Sequence, residues 1–136
     1  MRFVFVDTSA WVALKHKGDS LWQQATTVNR ALLTSGVRYI TSNFVLDETY
    51  TLLRLRAGHH IAVELGEEIA QSQLVTVIRV SEVLENEAWQ IFKRYNDKEF
   101  SFTDCTSFAI MRQRTIYEAF TNDHHFEQCG YQVLLK

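Results

Sequence analysis

Several absences narrow the reading of this 136-residue sequence. It has no proline and shows no linker, low-complexity tract or internal repeat. That leaves one domain over residues 1–136, long enough to bury a core. Its two cysteines, Cys105 and Cys129, make no disulfide framework, and without a C-x-x-C pair they do not suggest zinc. Cys105 is expected as an inert buried thiol and Cys129 as a partly buried one. Neither sign of charge is in excess. The formal net charge is −2, so a polyanion would have to meet a local basic patch or bound cations. No apolar run approaches the length of a membrane span. The chain enters a strand-like run directly, without the basic, apolar and small-residue regions of a leader. The expected setting is a reducing cytoplasm, away from membranes. Hydrophobic residues at 46% and charged residues at 22% are an ordinary globular balance.

Strand-like and helix-like segments alternate along the chain. Phe3–Val6 reads as a short buried strand, followed by helical stretches over Ser9–Lys15 and Trp22–Leu33 that end at Gly36. Tyr39–Thr41 is a second strand. Ser42 and Asn43 are expected to cap a helix to Arg56, and His60–Ala70 reads as another. "LVTVIRV", Leu74–Val80, is the clearest strand pattern. Ser81 and Glu82 start a helix through Arg94, whose apolar face is read as Val83, Leu84, Ala88, Ile91 and Phe92. Phe102–Arg114 is helical, with Tyr117–Phe120 and Gln132–Leu135 as the last strands. Such alternation points to an α/β fold: a central parallel sheet of about five strands with helices on both faces. Ligands of such sheets sit beyond the carboxyl ends of the strands.

Four carboxylates stand where that rule makes them interesting. Asp7 follows the first strand and Asp123 the fourth. Glu48 and Asp104 lie on helices whose N-termini should open toward the same sheet edge. Capping accounts for Asp7, Asp104 and Asp123 singly. Ser101 and Asp104 fit the S-x-x-D box, and Thr8 or Ser9 could cap in place of Asp7 and free its carboxylate. Glu48 falls at the edge of the apolar face of its helix, whereas the adjacent Asp47 falls opposite and should be solvated. Carboxylates brought within about 4 Å repel by ~1 kcal/mol per pair in water and by ~4 at an effective dielectric of 20. A cluster of this kind needs protons or a cation, and hard oxygen donors without His or Cys suit Mg²⁺ or Mn²⁺.

The four segments "VFVDTSAWVAL", "TSNFVLDETYTLL", "FSFTDCTSFAIM" and "AFTNDHHFEQCGYQVLL" resemble the PIN-domain family, specifically the VapC-type toxins of toxin–antitoxin modules. The resemblance spans essentially the whole chain. It implies a single PIN-like domain and a metal-dependent endoribonuclease with an acidic site at Asp7, Glu48, Asp104 and Asp123. It also implies Mg²⁺ or Mn²⁺ as cofactor, an RNA substrate, a homodimer and a small antitoxin partner. Thr8, Asn43 and Thr121 match polar positions that support the acids, with Asn43 read chiefly as a helix cap. His124 and His125 are read as surface or at most substrate-facing, and not as ligands. Lys15, Lys17, Arg54, Arg56, Arg112 and Arg114 are the candidate phosphate contacts. Trp11, Trp22 and Trp89 are read as core or dimer contacts.

Three other readings compete. A phosphoacceptor receiver domain would need an acidic pair near the first strand and a lysine near the last, and both are missing. A housekeeping RNA-processing PIN nuclease shares the chemistry, and a growth-arrest test separates it from a toxin. A catalytically inert PIN-like binding module is disfavoured by the presence of all four acids.

Overall fold

The computed structural model describes residues 1–136. Its centre is β1 (Phe3–Val6), in which Val4, Phe5 and Val6 are wholly buried. A strand covered on both faces carries a continuous β-branched and aromatic run, and "FVFV" is one. β1 pairs in parallel with β2 (Arg38–Ser42) on one side and with β4 (Glu118–Phe120) on the other. β3 (Val75–Ile78) and β5 (Gln132–Val133) form the edges. The order is β3-β2-β1-β4-β5, parallel throughout. Beyond β5 the pairing runs on, as the Leu135 N–H donates to the Thr121 carbonyl at 3.1 Å.

Parallel neighbours require crossovers, and seven helices supply them. They are α1 (Thr8–Lys15), α2 (Trp22–Thr34), α3 (Asn43–Arg56), α4 (His59–Gln71), α5 (Glu82–Arg94), α6 (Phe102–Arg114) and α7 (His124–Gln128). α6 is buried along most of its length, from Asp104 through Met111. That places its first turn, with its acid, inside the molecule. Sheet and helices share one apolar core, to which Trp11 adds an indole N–H donated to the Thr41 hydroxyl at 3.3 Å. Cys105 is buried, which pushes its thiol up to about 12, and Cys129 is partly buried. No helix is long and apolar enough to cross a membrane.

The expected α/β architecture is observed, with two corrections to packing. The strand pattern that looked clearest in sequence, Leu74–Val80, is a four-residue edge strand, and Leu74 is exposed. Helix α5 buries Leu84, Ala88 and Ile91, but Val83 and Phe92 are exposed rather than core. At about 100° per residue, Leu84, Ala88 and Ile91 share a stripe, with Val83 about 105° to one side and Phe92 about 75° to the other. Trp89 is also exposed and stacks on Phe92 with ring centroids 5.8 Å apart.

Candidate active site

Asp7 occupies the N-cap position of α1, yet its carboxylate caps nothing. Thr8 and Ser9 do not cap α1 in its place. The Thr8 hydroxyl donates to the Val45 carbonyl at 3.3 Å, which ties α1 to α3. The Ser9 hydroxyl accepts from the Asn122 N–H at 3.0 Å. Asp7 is thus left to face the end of the sheet. Its Oδ2 accepts from the Thr121 hydroxyl at 2.9 Å, and the same hydroxyl oxygen accepts from the Asp123 N–H at 3.1 Å. Thr121, one residue past β4, therefore couples the two strand-end acids directly.

Asp104 does cap. The Ser101 hydroxyl accepts from the Asp104 N–H at 2.9 Å, and Asp104 Oδ2 accepts from the Ser101 N–H at 3.0 Å, completing the box. Asp123 caps too, its Oδ1 accepting from the His125 N–H at 2.9 Å. Capping and site membership are compatible, because each bond holds one carboxylate oxygen and leaves the other.

The three acids lie within electrostatic reach of one another. Burial pushes Asp7 up to about 7, and the charges of Asp104 and Asp123 add to the rise against the opposing hydrogen bonds from Thr121 and the Thr8 backbone. Asp104 is raised as well, by burial first and by Asp123 among its lesser causes. Asp7 and Asp104 are 5% and 7% exposed, so water screens them little. Two buried carboxylates and a third, Asp123, at the cleft wall, with oxygen as the dominant donor, form a site that fits a hard divalent cation.

A cleft of about 530 Å³ opens over this point, lined by Asp7, Glu48 and Asp123 among others. Asp104 is buried and does not line it. Glu48 is exposed rather than half-buried, and it lies on the second turn of α3. It still reaches the cleft, which Asp47 does not. A more apolar groove of about 430 Å³ between α1, α2 and α4 holds none of the four acids.

Two supporting roles differ from expectation. Asn43 neither caps α3 nor touches an acid. Ser42 is the cap, and Asn43 Oδ1 accepts from the Val80 N–H at 2.8 Å, tying α3 to the segment after β3. The Thr8 hydroxyl braces helices rather than carboxylates, also receiving a bond from Thr49 at 3.2 Å. Among the candidate cations, Lys15 is engaged by Glu64 and Glu68, and Arg112 faces Glu87 at 3.7 Å. Arg56 is the cleft's one lysine or arginine.

Two residues at the site went unrecognised in sequence. Asp19 lines the cleft while its Oδ1 accepts from the Leu21 N–H at 2.8 Å. In "KGDSLW" it reads as an ordinary turn acid. His125 is not a surface residue. Its side chain is 19% exposed, against 72% for His124. Its Nδ1 stands 3.0 Å from Asp123 Oδ1 and 3.4 Å from Asp104 Oδ2. The following residue, Phe126, is wholly buried and anchors α7. A histidine two residues past a capping acid and next to such an anchor was the available signal.

Residues 4–130 match the family described as PIN domain. The chain belongs to the PIN-domain family. Within it, this PIN domain is 41% identical over 131 residues to the 23S rRNA-specific endonuclease VapC20 of Mycobacterium tuberculosis, strains H37Rv and CDC 1551. That match covers 94% of this chain and 95% of the relative. The crystal structure of Mycobacterium tuberculosis VapC20, described as a sarcin–ricin loop cleaving toxin, superposes with a TM-score of 0.84. It is 40% identical over 94% of this chain and 95% of that one. FitAcB from Neisseria gonorrhoeae shares the fold at a TM-score of 0.69 and 18% identity, covering 96% of this chain and 95% of that one.

Proposed function

We propose that this PIN domain is a divalent-metal-dependent endoribonuclease acting as the toxin of a toxin–antitoxin pair. One observation carries the reading: Asp7, brought to the sheet edge by β1, is held out of water beside Asp104 and Asp123 and is pushed up to about 7. Such a cluster is costly without a cation, and a protein that needed only helix caps would not leave the Asp7 carboxylate uncapped.

In this reading Asp7, Asp104 and Asp123 hold one or two Mg²⁺ or Mn²⁺ ions, and Glu48 contributes from α3 directly or through water. A bound divalent ion supplies an activated water and polarises the phosphoryl group. Thr121 keeps Asp7 and Asp123 aligned through its single hydroxyl. Arg56 lies two turns beyond Glu48 on α3, about 12 Å along the helix, and takes a neighbouring backbone phosphate. Asp19 adds a further acid to the cleft lining.

The substrate proposed first is ribosomal RNA at the sarcin–ricin loop, because the relative at 41% identity is named for 23S rRNA and its structure for that loop. A small antitoxin and a homodimer are proposed on the family resemblance. The exposed, stacked Trp89 and Phe92 of α5 offer an apolar patch for association. The test is cleavage of intact ribosomes, and of a sarcin–ricin stem-loop, by the purified chain with Mn²⁺ or Mg²⁺, with chelator, and with Asp7→Asn. Discrete products that require both metal and Asp7 support the reading. Metal-independent products, or full turnover by Asp7→Asn, overturn it.

A further inference from the structure

The three acids come from different elements: Asp7 from the end of β1, Asp104 from α6 and Asp123 from the cap of α7. Thr121 explains how Asp7 and Asp123 are kept in register. No hydroxyl or backbone group does the same for Asp104 and Asp123. The contact between them is the His125 imidazole. Its Nδ1 lies 3.0 Å from Asp123 Oδ1 and 3.4 Å from Asp104 Oδ2. The atom is sealed from solvent and has no hydrogen-bond partner, although an oxygen of each acid lies within reach of it. The ring is fixed from the side by Phe100, edge to face with centroids 5.6 Å apart.

The contacts divide the carboxylate oxygens. On Asp104 the capping bond from Ser101 and the imidazole both fall on Oδ2. On Asp123 the capping bond from the His125 N–H and the imidazole both fall on Oδ1. The opposite oxygen of each carboxylate is free of these contacts.

Resting on the metal-site reading above, we propose that His125 is a positioning residue that bridges Asp104 to Asp123. An Nδ1–H shared between one oxygen of each acid sets their separation and turns the other two oxygens toward the cation. Outer groups that orient carboxylate ligands are worth about 10–100-fold in metal affinity or activity when removed.

The test compares two variants with the wild type. His125→Phe keeps an aromatic ring against Phe100 and removes the donor. His125→Asn places an amide N–H near the position of Nδ1. Mn²⁺ affinity is measured by titration calorimetry, and RNA cleavage is resolved into kcat and KM. In His125→Phe, Mn²⁺ binding should weaken about 10–100-fold and kcat should fall, while KM for RNA stays within about threefold. His125→Asn should recover most of both losses. Wild-type Mn²⁺ affinity in a folded His125→Phe overturns the bridge. So does an Asn variant as impaired as the Phe variant, since the ring and not the donor would then matter. If His125→Phe does not fold, His125→Asn alone decides: near-wild-type Mn²⁺ binding and kcat support the bridge, and a loss of either overturns it. A wild type that neither binds Mn²⁺ nor cleaves RNA overturns the nuclease reading itself, whereas a competent wild type with an indifferent His125 overturns only the bridge.

Discussion

Replacing Asp7 by Asn should make the metal-free protein more stable while removing its activity. The side chain keeps an acceptor for the Thr121 hydroxyl and loses a charge that burial penalises. Asp7 titrates at about 7 in the fold against an ordinary 3.8. A raised carboxyl pKa means the native state holds a proton that the unfolded chain has lost. The wild type is therefore most stable, as far as Asp7 is concerned, below about pH 4 and loses that stability as pH climbs toward 7. At about 1.4 kcal/mol per pH unit, the interval from 3.8 to about 7 sets a ceiling of about 4 kcal/mol at neutral pH. Relaxation and water penetration reduce such penalties, so a gain of about 1–3 kcal/mol is expected. In a domain of this size that is roughly 3–12 °C in Tm. The assay is thermal or urea unfolding of both proteins in chelator, at about pH 7.5 and again at about pH 5. The advantage of Asp7→Asn should shrink at the lower pH, where the wild-type carboxyl is protonated. Added Mn²⁺ should stabilise the wild type more than the variant. A variant no more stable than wild type in chelator at neutral pH would refute the reasoning. So would an advantage that grows on acidification.

Arg56→Ala should raise KM for RNA several-fold and make cleavage less sensitive to salt, because one phosphate contact is lost; turnover at several ionic strengths checks this. Thr121→Val leaves Asp7 Oδ2 and the Asp123 N–H without their shared partner. It should cost about 1–3 kcal/mol by urea midpoint and lower kcat about 10–100-fold, with Thr121→Ser near wild type. Asp47→Asn should leave cleavage within about twofold of wild type, whereas Glu48→Gln should lower kcat at least tenfold, since only Glu48 reaches the cleft.

What was legible in the sequence was local. The "FVFV" run, the Ser101–Asp104 box and the glycine-terminated helices carry their own signals within a few residues, and they stand where expected. The acids were singled out because strand ends and helix starts mark one edge of a parallel sheet. What escaped depends on partners far along the chain. Nothing near Lys15 announces Glu64 and Glu68, and nothing near Asn43 announces the Val80 amide. The burial of His125 follows from how α7 docks on α6, which no neighbouring residue encodes. The α5 face was misjudged for a related reason: a list of apolar residues does not say which way the helix is rolled, and two aromatic side chains were left outside.

The strand order has a consequence for how the chain is made. β1 is the first strand to leave the ribosome and the middle strand of the sheet, so it has no neighbour until residues 38–42 arrive and no second neighbour until residues 118–120. Asp7 must wait a further step, since its hydroxyl partner is separated from it by 114 residues. Domains fold as units during synthesis, and until residues 118–120 arrive β1 is an edge strand, with Asp7 at its end and without Thr121, Asp123 and His125. A nascent chain shorter than about residue 125 cannot assemble the acidic cluster, however well its first strands have paired. The pairing of Asp7 with Thr121 and Asp123 is thereby withheld until nearly the whole of the domain has been made.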